Sequence, residues 1–315
     1  MQSSRILLFD GSGFRFVETG SQHDLRWACW RNDKEAALVV GNHGTLLEFD
    51  GKRFRRIEPV SHENLRGVAF LPGSGEGLAV GNHGTLIRYR HSRASLSSLP
   101  TKANLRRVSC RPDGSHFLLV GNDGVVFRYE GGQPERVWGA DHENNLRDIS
   151  WHPDGEEALI VANRYGRDLV ASPTLYRYMD LSRKLESMDS TSSDLIGVEW
   201  RPDGEMAIAV GYDLVWHEAS IYLYEEGGLS KVDLTNKKVY PTAIGWRPDG
   251  AYAFIGTASP YGAGHPGGGR LLKYGDHRIE QVFFEPDYPI GNIAWKPDGS
   301  VALIIGSPNT RSFTV

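Results

Sequence analysis

The side chains of this 315-residue chain best placed to move protons are Asp213, His217 and Glu218, with His265 one repeat further on. Imidazole and carboxylate together suit general acid–base work, because histidine changes charge near neutral pH. Glu199 adds a carboxyl inside an apolar strand, where it must be solvated or paired. These spacings match no hydrolase or lyase motif, so no catalytic residue is assigned. If the chain is an enzyme, a hydrolase or lyase acting through His217, Glu218, Glu199 and His265 is the expectation.

A second set is recurrent. Arg26, Arg66, Arg106 and Arg147 fill one position in four successive repeats, where Ile196, Thr242 and Gly291 stand in the other three. A guanidinium fork takes carboxylate or phosphate in a bidentate manner, so an arc of four suits an anionic ligand or an acidic peptide. The alternative is scaffolding, with each arginine bonded to carbonyls or to Asp24, Asn64, Asn104 or Asn145, two residues before it or in a neighbouring repeat. Arg107 and Asp148 are single-copy departures in the same strands.

His43 and His83 are possible zinc ligands, but they occupy equivalent turn positions and Asp123 replaces them in the third repeat, so they read as turn residues. Cys29 and Cys110 each lie in an apolar strand and read as buried, reduced thiols rather than a disulfide or zinc framework. The glycines from Gly267 to Gly269 follow no strand-to-helix pattern, so no phosphate cradle is expected. Neither a metal nor another cofactor is expected.

The elements that carry these groups follow from an internal repeat. A strand-ending anchor recurs at Trp30, Phe70, Cys110, Trp151, Trp200, Trp246 and Trp295, five times followed by Arg-Pro-Asp-Gly or a close variant. Proline presets the first turn dihedral, aspartate bonds its own backbone, and glycine takes the left-handed conformation. An apolar run such as Ala37 to Val40 comes next, then a second turn (Gly41-Asn42-His43-Gly44 in the first copy), then a strand ending on an aromatic such as Phe49 or Tyr89. Each repeat therefore predicts strands A to D of one antiparallel blade, and seven copies predict an all-β, seven-bladed β-propeller. The N-terminal Phe9-Asp10-Gly11 and Phe14-Arg15 match Phe49-Asp50-Gly51 and Phe54-Arg55. A C–D hairpin at the N-terminus should join the A and B strands at the C-terminus, closing a single ring over 1–315 with a shared blade of 1–20 plus 286–315. Thr310 to Val315 compete for the same strand C position.

The Pro-Asp-Gly turn after an aromatic-ended strand resembles the TolB-type, WD40-like propeller repeat. Val-Gly-Asn-His-Gly-Thr-Leu resembles repeats of the photosystem II assembly-factor propellers. These resemblances span nearly the whole chain and imply binding, usually of protein partners. The Trp-Asp blade ending of a true WD40 repeat and the sialidase-like Ser-x-Asp-x-Gly-x-Thr-Trp box are absent, and no family's functional residues carry over.

Repeat departures single out one face. From the end of strand B to the strand C aromatic takes eight residues in blades 1 to 3 (Gly41 to Phe49, Gly81 to Tyr89, Gly121 to Tyr129). It takes 16 in blade 4 (Ala162 to Tyr178), 13 in blade 5 (Gly211 to Tyr224) and 18 in blade 6 (Gly256 to Tyr274). The enlarged B–C loops carry Arg164, Tyr165 and Asp168, then Tyr212, Trp216 and His217, then Tyr261 and His265. Such polar and aromatic residues on a rigid scaffold suit ligand recognition, and packing among the loops is the structural alternative. With net charge -4 and pI ≈ 6.3, no overall field favours nucleic acid. No apolar run is long enough for a membrane helix, and no signal-peptide pattern opens the chain. The expectation is a cytoplasmic, monomeric binding or scaffold propeller for a protein or peptide partner or a small anionic ligand.

Overall fold

Strands A to D form because each repeat grades its apolar content from the ring's centre outward. Strand B is buried along its whole length, as in Ala37–Gly41, Gly77–Gly81 and Phe117–Gly121, and strand D is mostly exposed, as in Arg93–Ser98. A short continuous apolar run between turn residues is the pattern of a strand covered on both faces. The computed structural model describes residues 4–32, 36–138, 144–163, 174–188, 191–213, 218–234, 239–258 and 269–306. Within them lie seven four-stranded antiparallel sheets and one 3-10 turn, Asn82–Gly84. The chain is a seven-bladed β-propeller.

Both turn expectations hold in detail. Gly114, Gly155, Gly204, Gly250 and Gly299 have φ between 71° and 78°. The aspartates before them accept backbone N–H bonds from two residues on: Ser115 to Asp113 at 2.9 Å, Glu156 to Asp154 at 2.8 Å and Glu205 to Asp203 at 3.0 Å. The anchors recur because they meet the strand C aromatic of their own blade edge to face, at interplanar angles of 74° for Trp30 and Phe49, 87° for Trp151 and Tyr178, and 88° for Trp246 and Tyr274.

No blade has a core of its own. Each hydrophobic cluster joins two neighbours: Leu38 and Val40 of blade 1 pack with Leu65 and Phe70 of blade 2, and the pattern continues around the ring. The last blade consists of Ile290–Trp295 and Ala302–Gly306 as strands A and B, with Arg5–Phe9 and Phe14–Glu18 as C and D. Leu7 pairs with Ile304 and Leu8 with Leu303. Ile6 and Leu8 pack towards blade 1, and Leu7 towards blade 6. Arg5–Phe9 thus fill the strand C position, and the competing stretch Thr310 to Val315 lies outside the described residues.

Tyr288, 1% exposed, locks this closure. Its hydroxyl accepts from Leu7 N (3.1 Å) and lies 2.9 Å from Ile304 O and 3.1 Å from Arg5 O. Burial drives its pKa upward, so it stays a neutral donor. Tyr288→Phe strands the Leu7 N–H and should cost about 1–3 kcal/mol, read as a lower urea midpoint at unchanged m-value.

Candidate functional site

In all seven blades the A–B ladder slips by one residue near the start of strand A. The extra residue is Arg26, Arg66, Arg106 and Arg147 in blades 1 to 4, and Ile196, Thr242 and Gly291 in blades 5 to 7. A bulged residue has no partner on the next strand, so its side chain is re-aimed out of the sheet. The arginine arc is therefore a set of bulge positions at the B–C end of the central channel.

The arginines do not bond to the residues two places earlier. Arg26, Arg66 and Arg106 donate through Nε to Oδ1 of Asn42, Asn82 and Asn122, at 3.0, 2.6 and 2.7 Å. These asparagines belong to the B–C turns of the same blades, sixteen residues on. Asn64 and Asn104 serve the neighbouring turns, accepting from His43 N (3.0 Å) and His83 N (3.1 Å). Gly41, Gly81 and Gly121 permit this closeness: a Cβ on any of them would lie 2.3–2.6 Å from the carbonyl oxygen of Asp24, Asn64 or Asn104.

Holding Nε leaves the terminal guanidinium nitrogens, and no described residue bonds to those of Arg26, Arg66 or Arg106. Burial first, then repulsion from Arg106, Arg26 and Arg107, lowers Arg66 to about 9. Burial with Arg147, Arg107 and Arg26 does the same to Arg106, again to about 9. Arg147 falls to about 10 through burial and the charges of Arg107 and Arg66, with Asp194 opposing. All remain cations at neutral pH, close enough to feel one another. The carboxylates acting on them are Asp24, Asp148 and Asp194, against five guanidinium groups.

Arg107 follows the bulged Arg106 in strand A of blade 3. Its Nη1 donates to Arg66 O and Arg106 O (both 2.9 Å), its Nε lies 3.3 Å from Asp148 Oδ1, and its guanidinium carbon sits 3.6 Å from the Trp27 ring centroid. Asp148 also accepts from Ile149 N (3.0 Å) and Val198 N (3.2 Å). Trp27, Arg107 and Asp148 also line a cavity of ≈ 530 Å³ that extends to Asn32, Pro248 and Pro297 in the A–B turns, on the opposite face.

Glu199 lines that cavity rather than the arginine mouth. Burial pushes its carboxyl well above the ordinary range, the Asp148 charge adds to this, and a hydrogen bond from Trp246 N opposes it. Among the described residues no cation forms an ion pair with it, and Arg107 pairs with Asp148 instead. The position it occupies, directly before the strand A anchor, faces the next blade: Ser150, its equivalent in blade 4, likewise accepts from Trp200 N at 3.0 Å. A carboxyl with a raised folded pKa loses stability as pH climbs past its unfolded value. Glu199→Gln should therefore stabilise the protein above roughly pH 5 and match the parent below roughly pH 4, in urea titrations across that range.

The loop expectations change most in blade 5. Its B–C connection is not an enlarged loop but a longer hairpin, because strand B runs through Ala207–Asp213, strand C starts at Glu218, and Asp213 pairs with Glu218. Asp213 is 1% exposed and accepts from Ser192 Oγ (2.5 Å), and Tyr212 stacks on Tyr240 with ring centroids 4.2 Å apart and hydroxyls 2.6 Å apart. Arg164, Tyr165, Asp168, Trp216, His217, Tyr261 and His265 lie outside the described residues. Of the acid–base set, only Asp213, Glu218 and Glu199 are described, and Glu199 stands apart in the channel.

His43 and His83 hold left-handed turn positions, both at φ 53°, as does Asp123 at 58°. His83 Nδ1 lies 3.0 Å from Glu63 Oε2. Among the described residues no group of three His, Cys, Asp or Glu side chains is placed to hold a metal. Cys29 and Cys110 are free, and burial raises their thiols to about 11 and about 12. No helix among the described residues is long and apolar enough to cross a membrane.

Sequence reasoning missed Asn42, Asn82, Asn122 and Trp27 as parts of the site. The signal for the asparagines was available: Arg26–Asn42, Arg66–Asn82, Arg106–Asn122 and Arg147–Asn163 share one spacing, and the pair is lost as a unit in blades 5 to 7.

A scan against protein-family models finds no match, and a search of curated proteins finds none. Among solved structures, the fold is similar to the β-propeller domain of Cps50 (Swd1) from Myceliophteria thermophila, with TM-score 0.66 and 11% identity, covering 91% of this chain and 98% of that one. At that identity the likeness concerns the fold alone, a seven-bladed β-propeller.

Proposed function

We propose that this propeller is a non-catalytic binding module that seats an anion, either a small ligand or an acidic side chain of a partner, over the arginine mouth. One observation carries the reading: Arg26, Arg66, Arg106 and Arg147 are bulged out of their sheets towards one opening, with their terminal nitrogens unused by described residues on Arg26, Arg66 and Arg106. Like charges held together at partial burial are unfavourable alone, and an anion between them relieves that cost while taking charge-assisted hydrogen bonds. The scaffolding alternative accounts for Nε of three arginines and leaves the forks unexplained.

The TolB-like and photosystem-factor-like turns agree with a binding role, and the net charge of -4 gives no overall field favouring polyanions, so the positive seat is local. A monomer in the cytoplasm is the setting we favour. Pyrophosphate and citrate titrated calorimetrically should bind with one site per chain, more weakly as salt rises. Absence of heat or of competition between the two anions at low salt would remove the reading.

A further inference from the structure

The arginine–asparagine pair is made in three blades and broken in the fourth. Blade 4 has both residues at the same spacing, yet Asn163 Oδ1 is buried without a hydrogen-bond partner. Arg147 does not hold it. The cause is local: Ala162 stands where blades 1 to 3 have Gly41, Gly81 and Gly121, and the A–B ladder runs one pair further, with Asn145 opposite Asn163. Asn163 is thereby kept in the strand, whereas Asn42 and Asn122 open tight turns that Thr45 N and Val125 N close on their carbonyl oxygens.

A buried amide oxygen without a donor is rarely left so in a native protein. It belongs to the same blade as Arg147, a guanidinium that its own asparagine does not clamp and that feels the charges of Arg107 and Arg66. The missing donor is best supplied by a neutral group, since an ammonium would add a positive charge to a mouth that already holds five.

We infer that the ligand of the mouth is a hydroxylated oxyanion: its anionic group lies against Arg66 and Arg106, beside Arg147, and a neighbouring hydroxyl donates to Asn163 Oδ1. This rests on the mouth being an anion seat. Polyol phosphates and hydroxy acids share that chemistry. The other three pairs set the overall charge preference, and blade 4 sets the preference for a hydroxyl.

Two matched pairs of probes test it by calorimetry: glycerol 3-phosphate against propyl phosphate, and malate against succinate. The hydroxylated member of at least one pair should bind about tenfold more tightly, the effect of one hydrogen bond to an otherwise unsatisfied acceptor. The pair with the larger ratio identifies phosphate or carboxylate as the anionic group. In Asn163→Leu the ratio should fall to about one with the affinity of the plain anion kept, and Asn163→Ala should do the same if the leucine variant fails to fold. Equal affinities within both pairs in the wild-type protein would overturn the hydroxyl inference, and so would a ratio that survives in both Asn163 variants. In either case, plain-anion binding that is lost in Arg66→Ala leaves the anion seat standing. No binding of any probe overturns both.

Discussion

Removal of residues 1–20 should abolish the cooperative fold. The deletion takes strands C and D from the closing blade and, with them, Ile6, Leu7 and Leu8, whose side chains are 0–3% exposed. Each is worth about 1.5–3 kcal/mol of burial. The Tyr288 hydroxyl loses Leu7 N and Arg5 O, and strand Ala302–Gly306 is left as a bare apolar edge. Against a typical total stability of about 5–15 kcal/mol, such a loss leaves little margin. Circular dichroism in urea should show no single sharp transition, and size-exclusion chromatography should show association through the new edge. A monomeric variant with the parent's urea midpoint would contradict ring closure by the N-terminal hairpin.

Replacing Arg66 and Arg106 together by alanine should weaken anion binding by about 100-fold or more. A hydrogen bond to a charged group is worth about 1.5–3 kcal/mol, so each fork contributes about tenfold or more. Stability should move little. The lost bonds to Asn82 and Asn122 are offset by relief of repulsion, since Arg66 is pressed by Arg106, Arg26 and Arg107 and Arg106 by Arg147, Arg107 and Arg26. Calorimetric titration of pyrophosphate read beside thermal melts separates the two effects. A large drop in melting temperature with affinity unchanged would make these arginines scaffold.

Blade count, turn geometry and ring closure were legible in the sequence because each is written locally. Asp113 and Gly114 fix a turn through their own backbone, and Phe9 and Phe14 reproduce Phe49 and Phe54 one repeat away. What lay beyond it depends on how strands meet. Spacing alone does not separate a loop from a lengthened hairpin, so blade 5 read as a loop although Tyr212 and Asp213 continue strand B. The arginine arc was visible as a repeat. Its partners were not, because the bulge that turns Arg26 towards Asn42 arises from the pairing of strands A and B. Glu199 was visible as an anomaly, but its position across from Trp246 N is a relation between blades. The same limit hid the break at Asn163, which follows from one exchange of glycine for alanine at residue 162.

Whether the arginine mouth seats an anion can be read from anomalous diffraction of a crystal of the protein soaked at low salt in tungstate, an oxyanion whose position is found without a bias from the protein. A peak is expected over the channel mouth within hydrogen-bonding reach of the terminal nitrogens of Arg66 and Arg106, absent from the Arg66→Ala, Arg106→Ala protein. An empty mouth in the wild-type crystal, with tungstate bound elsewhere on the surface, would contradict it.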